Sequence, residues 1–296
     1  MDKRFRRIAV LKGGPSAERE VSLKSGAAIA NALRALDYDV AELDLADKEV
    51  DLPAGVEAVF IALHGTFGED GELQGLLEAK GVPFTGSGSV ASRMAFDKVA
   101  TKRVFERDGI STAHYEILKR GGVRTLPLPV VVKPARQGSS IGISKVFDES
   151  EWDAALASAL RYDEEVVVET FIPGAELTVG IVGNQVLPVI EIRAPEGYYD
   201  YRAKYTKNVT EYLVPAPLDA EIARSCQELA WRTFVSLGCR GMGRVDIRLT
   251  SEGCAYVLEL NTIPGFTETS LLPKAARSAG LEFGALCEKI LNLAEC

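Results

Sequence analysis

Two strand-like runs near the C-terminus constrain the chain more than any other feature. Residues 243–247 and 257–261 are separated by a short polar turn, which predicts a hairpin that sets Asp246 level with Glu259. Glu259 and Asn261 share a face of their strand because side chains repeat every second residue. Carboxylate and amide oxygens are ligands for Mg²⁺, which leaves coordination positions open to phosphate oxygens. The pattern indicates a magnesium–nucleotide site, although an ordinary hairpin with polar outward positions has the same spacing.

The composition is that of a folded globular protein. Its 296 residues are enough for two or three domains, and the apolar share of 47% supplies their cores. A net charge of −8 argues against nucleic acid as a partner. No apolar run approaches the about 20 residues that span a bilayer, and the basic cluster at residues 3–7 lacks a signal-peptide core. We therefore expect a cytoplasmic protein without a membrane partner.

The cysteines predict no cross-links. Their number is odd and none forms a CxxC pair, so neither a zinc site nor a disulfide framework is expected. Free, mostly buried thiols are the expectation. The five cysteines are Cys226, Cys239, Cys254, Cys287 and Cys296.

The N-terminal part alternates strand and helix patterns. An apolar run over residues 7–11 ends at two glycines and precedes a helical pattern over residues 22–36. Residues 39–43 and 58–63 are further strand candidates. This alternation predicts an open α/β layer over residues 1–86. The glycine pair lacks the GxGxxG order, so a dinucleotide-binding fold is set aside.

Two loops follow strands of this layer, and ligands of open α/β sheets bind at the carboxyl ends of the strands. Glu18 stands in the first loop, where a helix begins, and favouring the helix dipole is an equally good reason for it. His64 opens the second loop, whose three glycines indicate a shaped pocket wall. A turn and a helix start explain Glu69 and Asp70 in that loop without a function.

The middle of the chain combines a lysine with a loop of small residues. A helix is predicted over residues 89–107, and the β-branched strand 129–134 delivers Lys133 at its end. The following loop, residues 135–142, leads to a second, antiparallel strand that ends at Val146. This loop can lie across phosphates because its N–H groups and hydroxyls are donors. No Gly-Lys-Ser/Thr opens a helix, so this is not a Walker loop. A flexible hairpin tip with an exposed lysine is the alternative.

The next stretch contains a candidate adenine site and a candidate lid. Residues 165–174 form a strand that passes into a connector, a usual place for an adenine base. A hairpin is predicted over residues 176–190 and a helix over residues 218–237. Between them, residues 194–209 hold four tyrosines among basic residues. Segments of this kind serve as active-site lids or as surface loops anchored by their rings.

Taken in order, these segments resemble the D-alanine–D-alanine ligase family of the ATP-grasp superfamily over essentially the whole chain. Each motif alone is weak, but eight in sequence argue against chance similarity. The motifs are Gly13-Gly14 with residues 16–22, His64-Gly65 with residues 68–71, residues 85–88, Asp97-Lys98, Lys133-Pro134 with residues 138–140, residues 203–205, residues 243–246, and residues 259–262 with Pro264-Gly265.

The resemblance implies an α/β N-terminal domain followed by an α+β ATP-grasp fold of two domains. The implied division is a substrate-binding domain over residues 1–86, a central ATP-grasp domain over residues 87–172, and a C-terminal ATP-grasp domain over residues 173–296. The C-terminal domain would contain the lid loop and the metal site, and ATP would lie between the last two domains. The resemblance also implies a homodimer.

The resemblance implies a nucleotide site that holds ATP with two Mg²⁺ ions, for which Mn²⁺ is a possible substitute. Asp246, Glu259 and Asn261 would bind the metal. The implied nucleotide-binding residues are Lys98 and Lys133 at the phosphates, Gly138 and Ser140 in the loop over them, Glu169, Phe171 and Ile172 at the adenine, Glu176 at the ribose, and Lys204.

The resemblance also implies where two molecules of D-alanine bind. Glu18 would hold the ammonium of the first, with His64 nearby, and Ser270 with Leu271 would hold the carboxylate of the second. The remaining implied catalytic residues are Arg244 and Gly265 at the oxyanion, and Ser139 and Tyr205 in a hydrogen-bonded link to Glu18.

The implied reaction joins two D-alanines through a D-alanyl phosphate and supplies the dipeptide for peptidoglycan precursors. Thr170 stands where many members carry lysine, which weakens the expected preference for adenine. Tyr205 favours an amine over a hydroxyl acceptor. The alternatives are another ATP-grasp amino-acid ligase or a depsipeptide ligase, and a nucleotide-binding regulatory protein without turnover.

Overall fold

Three sheets follow one another along the chain. The structure, a computed structural model, describes residues 3–194 and 210–296. Lys204, Tyr205 and most of the tyrosine-rich segment lie outside the described residues, so the roles expected of them stay predictions. The domain boundaries at residues 86 and 172 stay predictions as well.

The N-terminal sheet is parallel and covered by helices. Its elements are β1 (Arg7–Gly13), α1 (Arg19–Ala35), β2 (Asp39–Leu45), β3 (Ala58–Ile61) and α2 (Glu72–Lys80). The strand order is β2-β1-β3. All four residues of β3 are buried, as expected for a parallel strand with both faces covered. α1 buries Ile29, Ala30 and Leu33 on one face, against β1. The predicted α/β layer is confirmed.

One predicted helix is in fact two. The pattern over residues 89–107 is divided into α3 (Ser89–Phe96) and α4 (Lys98–Asp108). Asp97 has an extended backbone, with φ −84° and ψ 104°, and its side chain accepts hydrogen bonds from two N–H groups of the following turn. An aspartate that caps the second helix therefore ends the first. The break places Lys98 at the start of α4.

The middle sheet is antiparallel. Its elements are β4 (Tyr115–Leu118), β5 (Val130–Pro134), β6 (Ser144–Val146), α5 (Glu149–Ala159) and β7 (Val166–Thr170). The strand order is β4-β7-β5-β6, so β7 lies beside the strand that ends with Lys133. β5 and β6 pair across the small-residue loop, which confirms the predicted antiparallel pair. Asp148 begins α5 with a capping box that includes Glu151.

The C-terminal sheet contains the hairpin that organises the chain. The elements of this part are β8 (Ala175–Val182), β9 (Gln185–Val186), β10 (Ile190–Arg193), β11 (Glu211–Leu213), α6 (Ala220–Ser236), β12 (Met242–Leu249), β13 (Ala255–Asn261), α7 (Leu271–Ser278) and α8 (Phe283–Asn292). The strand order is β11-β10-β8-β12-β13. Asp246 faces Glu259 and Arg244 faces Asn261 across β12 and β13, as predicted, with a bulge after Asp246.

The hairpin predicted over residues 176–190 is interrupted. β9 pairs with the end of β8 but has only two residues. Pro188 then interrupts the strand, because proline has no N–H to donate to a ladder. The chain rejoins the sheet as β10, which pairs antiparallel with β8 at Ile190, Glu191 and Ile192.

An aromatic cluster ties the C-terminal segment to the N-terminal layer. Phe266 is 1% exposed, and its ring centroid lies 5.8 Å from that of Phe60 and 5.6 Å from that of Phe283. Its backbone N–H donates to Ser25 Oγ at 3.2 Å. Phe60 lies on β3, Ser25 on α1 and Phe283 on α8, so one residue joins three elements. Phe266 directly follows Gly265, which fixes the position of that turn.

Two expectations from composition can be compared with the structure. The cysteines are free thiols, as expected, but two of them, Cys254 and Cys296, are exposed and only Cys226 and Cys287 are buried. The expectation of mostly buried thiols is therefore wrong, since tertiary packing and not residue type decides exposure. Within the described ranges, no helix is both long enough and apolar enough to cross a membrane.

Replacing Phe266 with alanine should destabilise the fold strongly. Loss of a fully buried aromatic ring costs about 3–5 kcal/mol, because the transfer free energy and the cavity cost add. Urea denaturation followed by circular dichroism measures the change. Val123→Ala is the control, since Val123 is 81% exposed and should change the free energy of unfolding by about 0.5 kcal/mol or less. Equal midpoints for the two variants would contradict the assignment of Phe266 as a joint.

Candidate active site

Two neighbouring cavities share the small-residue loop and the β12–β13 pair. The larger, of about 610 Å³, is lined by the predicted residues Glu18, His64, Gly138, Ser139, Arg244, Asn261, Gly265, Ser270 and Leu271. The smaller, of about 320 Å³, is lined by the predicted residues Lys133, Ser140, Glu169, Phe171, Ile172, Glu176, Asp246 and Glu259. Lys98 lies beside a third, small cavity with Gly138, Glu259 and Asn261. The fold thus brings the described candidate residues together.

The small-residue loop touches the N-terminal layer at Glu18. Ser139 Oγ donates a hydrogen bond to Glu18 Oε1, at the start of α1. Gly65 permits this position of the carboxylate: it has φ +75°, and a Cβ there would stand 2.7 Å from Glu18 Oε2. The pair between Ser139 and Glu18 is therefore present, whereas its expected third member, Tyr205, lies outside the described residues.

The same loop has an unusual backbone. Ser139 and Ser140 have φ +50° and +61°, a left-handed conformation that costs energy for residues other than glycine. The turn is closed by hydrogen bonds from the N–H of Ile141 to Gly138 O and from the N–H of Ile143 to Ser140 O. As a result Ser139 lines the larger cavity and Ser140 the smaller one.

His64 is a buried link between the N-terminal layer and the turn after β13. Its side chain is 3% exposed. Nε2 lies 3.0 Å from Ser25 Oγ, and Nδ1 lies 3.0 Å from Ile263 O. Because a carbonyl oxygen only accepts, the pattern assigns the proton to Nδ1 and makes Ser25 the donor to Nε2. Ser25 Oγ in turn accepts the N–H of Phe266, so one network holds the turn in place.

A buried acid accompanies this histidine. Glu69 Oε1 lies 3.6 Å from His64 Nδ1. Burial raises the pKa of Glu69 to about 6, partly opposed by the hydrogen bond to His64. Burial alone would lower the pKa of His64, but Glu69, together with Glu18 and the Ile263 carbonyl, raises it above its ordinary value. Glu69 also lines the larger cavity.

Arg244 and Asp246 form a planar two-bond pair on β12. Arg244 Nε donates to Asp246 Oδ1 at 2.9 Å, and Nη2 donates to Oδ2 at 2.8 Å. Thr178 on β8 donates to Oδ1 at 2.6 Å and Asn261 on β13 donates to Oδ2 at 3.0 Å. Each carboxylate oxygen therefore accepts two of these bonds. The guanidinium is held at the border between the two cavities.

A helix begins at the far wall of the larger cavity. Ser270 is the residue before α7, with extended angles, and its Oγ accepts the N–H of Thr267 at 2.9 Å. The free N–H groups of a helix start favour an anion such as a carboxylate. Lys274, one turn further along α7, also lines this cavity. Gly265 lies close by, since a Cβ on it would stand 3.5 Å from Ser270 Oγ.

The smaller cavity contains a buried carboxylate between two lysines. Glu169 on β7 is 3% exposed. Its Oε2 lies 2.5 Å from Lys133 Nζ and its Oε1 lies 2.6 Å from Lys102 Nζ. Burial alone would raise the pKa of Glu169, but Lys102 and Lys133 hold it well below its usual range. The carboxylate is therefore ionised, and two ammonium groups share it.

The connector after β7 has part of its backbone already engaged. The N–H of Thr170 donates to His114 O at 2.8 Å, and the N–H of Phe171 donates to Pro129 O at 3.0 Å. A base bound here would have to be recognised by other groups. Glu169 and Ile172 also line the cavity at this wall. Glu176, beyond the connector, lies 3.6 Å from Arg248 Nη2.

The three candidate metal ligands lie on adjacent strands. Their oxygens suit a hard cation that completes its coordination with water and phosphate. Glu259 is the most open, with a side chain that is 33% exposed, and it lies 4.0 Å from Lys98 Nζ. Across residues 3–194 and 210–296, no three His, Cys, Asp or Glu side chains group around a metal position. A cation at Asp246 would therefore replace Arg244 at one carboxylate oxygen and rely on Asn261 and Glu259 for further ligands.

Three residues at or near the two cavities were not among the predicted site residues: Lys274 and Glu69, which line the larger cavity, and Lys102, which pairs with Glu169. Lys274 lies four residues after Ser270, so helical spacing alone was a signal that both share a face. Glu69 stands five residues after His64, in a loop without regular periodicity. The sequence therefore does not show which way its side chain points. Lys102 lies on α4, one turn after Lys98, but its burial depends on packing against β7, which local sequence does not reveal.

The architecture defines an ATP-grasp fold, in which an antiparallel middle sheet and a C-terminal sheet enclose the smaller cavity. Solved structures support this class. A D-alanine–D-alanine ligase from Bacillus anthracis complexed with ATP matches with a TM-score of 0.86 and 32% identity over 97% of each chain. The VanG D-Ala:D-Ser ligase from Enterococcus faecalis matches with a TM-score of 0.87 and 31% identity over 98% of this chain and 99% of that one.

Family models identify the chain more closely. The model described as D-ala D-ala ligase C-terminus matches residues 98–292, and the model described as D-ala D-ala ligase N-terminus matches residues 41–87. A curated D-alanine–D-alanine ligase from Syntrophotalea carbinolica is 53% identical over 97% of this chain and 95% of its own. The chain therefore belongs to the D-alanine–D-alanine ligase family, as its motifs predicted.

Glu69 should make stability depend on pH near neutrality. In the unfolded chain it loses its proton near pH 4.5, and in the folded protein near pH 6. The stabilisation is thus fully present below pH 4.5 and lost as the pH rises to about 6, and the raised pKa of His64 acts with the same sign. From about pH 4.5 to 7, the free energy of unfolding of the wild type should fall by about 2 kcal/mol more than that of Glu69→Gln. Parallel pH profiles of the two proteins in urea denaturation would refute the assignment.

Proposed function

We propose that this chain is an ATP-dependent, ADP-forming ligase that joins two D-alanines into D-alanyl-D-alanine for peptidoglycan precursor synthesis. The observation that carries this proposal is the pairing of two cavities across one loop. The larger offers an acid for an ammonium group and a helix start for a carboxylate, and the smaller offers the buried Lys133 for phosphates. Membership of the D-alanine–D-alanine ligase family supports the same chemistry.

The larger cavity would bind both amino acids. Glu18 would hold the ammonium of the first D-alanine, because it is a carboxylate that Ser139 fixes in place. His64 would act as its buried neighbour. Ser270 and the start of α7, at Leu271, would take the carboxylate of the second D-alanine.

The smaller cavity would bind ATP. We assign Glu169, Phe171 and the Ile172 backbone to the adenine and Glu176 to the ribose. Lys98, Lys133 and the loop residues Gly138 and Ser140 would contact the phosphates, with Lys204 as a further contact from outside the described residues. Support comes from the burial of Lys133, which strengthens its attraction for a phosphate, and from the N–H groups of the strained loop.

Two Mg²⁺ ions would bind at Asp246, Glu259 and Asn261, and Mn²⁺ could take their place. When bound, Mg²⁺ supplies positive charge to the phosphate oxygens of ATP. The oxygen-only donor set supports a hard cation. Exchange of Arg244 for a cation at Asp246 would leave the guanidinium available to a developing negative charge in the larger cavity.

The chemistry follows from what each side chain can do. A carboxylate is a poor electrophile, and transfer of the γ-phosphoryl group of ATP to the first D-alanine gives an acyl phosphate and ADP. The deprotonated amine of the second D-alanine then attacks the carbonyl carbon, the bond to the phosphate oxygen breaks, and phosphate leaves. Arg244 and the Gly265 backbone N–H would stabilise the oxyanion between these two events. Tyr205 would complete the link through Ser139 to Glu18.

Several assignments rest on the family resemblance and on chemical requirements. We propose the division into three domains at residues 86 and 172, because each part has its own sheet. The tyrosine-rich segment would act as a lid, since an acyl phosphate hydrolyses in water.

The protein would form a homodimer in the cytoplasm, where ATP is abundant. Sedimentation of the purified protein tests the dimer.

Purified protein should release phosphate from ATP in a manner that depends on D-alanine, with D-alanyl-D-alanine as the product. Coupled phosphate assays and mass spectrometry measure the two outcomes. D-Serine or D-lactate supplied with D-alanine distinguishes a D-Ala:D-Ser or depsipeptide ligase by its product. ATP binding without D-alanine-dependent phosphate release in a folded sample would instead favour a regulatory protein and overturn the proposal.

Glu259→Gln should lower kcat/KM by about a hundredfold or more and raise the Mg²⁺ concentration needed for half-maximal activity, because a charged oxygen ligand is lost. Circular dichroism should show an unchanged fold. Glu252→Gln is the matched control, since Glu252 lies exposed in the turn between the same two strands. Near-wild-type turnover and an unchanged Mg²⁺ requirement in Glu259→Gln would remove this residue from the metal site.

A further inference from the structure

The ion cluster of the smaller cavity contains one more cation than its carboxylate needs. Glu169 pairs with Lys102 through one oxygen and with Lys133 through the other. The three residues are 3%, 2% and 7% exposed, so water screens them poorly. Two lysines and one glutamate sum to a net charge of +1. Among these three buried side chains, the positive charges therefore exceed the negative charge by one.

The two lysines differ in their surroundings. Lys133 lines the cavity together with Glu169, at the end of β5. Lys102 instead donates to Thr112 Oγ1 at 2.5 Å, and it lies 5.3 Å from the ring centroid of Tyr115. Burial, together with the nearby charge of Lys133, lowers the pKa of Lys102, and Glu169 opposes this only in part. Lys102 is thus held by Glu169, Thr112 and the ring of Tyr115. Lys133 instead faces the space that a ligand would fill.

Thr112 extends the fixed side of the cluster to the C-terminal sheet. Its Oγ1 donates to Val257 O at 2.8 Å, on the strand that carries Glu259 and Asn261. Lys102 therefore anchors Glu169 to both sheets that enclose the smaller cavity. The Glu169 carboxylate would therefore keep its position if Lys133 turned from it to a phosphate.

We propose that Lys102 is a positioning residue for nucleotide binding: it neutralises Glu169, so that the charge of Lys133 is available to the nucleotide phosphates. This inference rests on the proposed nucleotide site. Without Lys102, Glu169 and Lys133 would form a neutral buried pair, and a phosphate would have to compete with the carboxylate for the same ammonium group. Lys102 itself would not touch the nucleotide.

A purely structural role predicts something different. An ion pair that only holds α4 against β7 would, when broken, lower stability and weaken every ligand of the cavity alike. If Lys102 acts by neutralising Glu169, its removal should specifically weaken the contribution of the phosphates to nucleotide binding. The ratio of the dissociation constant of adenosine to that of ADP isolates this contribution, since the two ligands share the base and the ribose.

Calorimetric titration with ADP and with adenosine, in one buffer that contains Mg²⁺, tests the inference. In Lys102→Gln, which can keep a hydrogen bond but lacks the charge, the ratio should fall by about tenfold or more. Lys102→Arg keeps the charge and should remain within about threefold of the wild type. Lys119→Met is the matched control, a lysine directly after β4 with a side chain that is 72% exposed, and it should leave the ratio unchanged.

The double variant Lys102→Gln/Glu169→Gln gives the decisive comparison. It removes one positive and one negative charge, which restores the net +1 of the wild-type cluster and leaves Lys133 without a carboxylate partner at Glu169. Its adenosine-to-ADP ratio should return to within about threefold of the wild type, even if adenine binding itself is weaker. The double variant also tests the inference if Lys102→Gln alone does not fold, because the double variant has no carboxylate at position 169 that would be buried without its Lys102 partner.

The outcomes separate this inference from the proposed function. An unchanged ratio in folded Lys102→Gln, or a ratio that stays low in the double variant, would overturn the role of Lys102 while leaving ligase activity intact. Wild-type protein that binds neither ADP nor adenosine would instead overturn the nucleotide site itself.

Discussion

The backbone ladder around β12 is the interaction on which the candidate active site depends. β12 pairs with β8 along its whole length and with β13 from Arg244 to Leu249. This double pairing sets Asp246 opposite Thr178 on one side and Glu259 on the other. A slip of one residue would turn these side chains to the opposite face of the sheet. The carboxylates and the arginine are therefore positioned by main-chain hydrogen bonds, which no ligand has to supply.

A second set of contacts joins this sheet to the N-terminal layer. Ser25 and His64 accept and donate hydrogen bonds to the turn that follows β13, and Phe266 seals that turn in the apolar core. Ser139 approaches from the middle sheet to reach Glu18. Each of the three sheets thus contributes to the larger cavity. Binding at that cavity depends on contacts that are distant in sequence, which explains why no one motif defined it.

Patterns in the sequence predicted the parts of the structure that local chemistry decides. The buried strand β3 and the β12–β13 hairpin followed from apolar runs and from alternation, and the family motifs named many of the residues that line the two cavities. Asp97 divided a predicted helix because a capping side chain outweighs apolar periodicity. The roles of Glu69 and Lys102 could not be predicted, since both depend on burial by elements that are far away along the chain.

Positive charge in this site is held by carboxylates until a ligand arrives. Arg244 is held by Asp246, and Lys133 is held by Glu169, each in a low-dielectric setting where an unpaired cation would be costly. In the proposed function, a metal–nucleotide would bring both a cation for Asp246 and phosphates for Lys133. Through these two exchanges the arginine and the lysine would change partners, while Asp246 would gain the metal cation and Glu169 would keep Lys102.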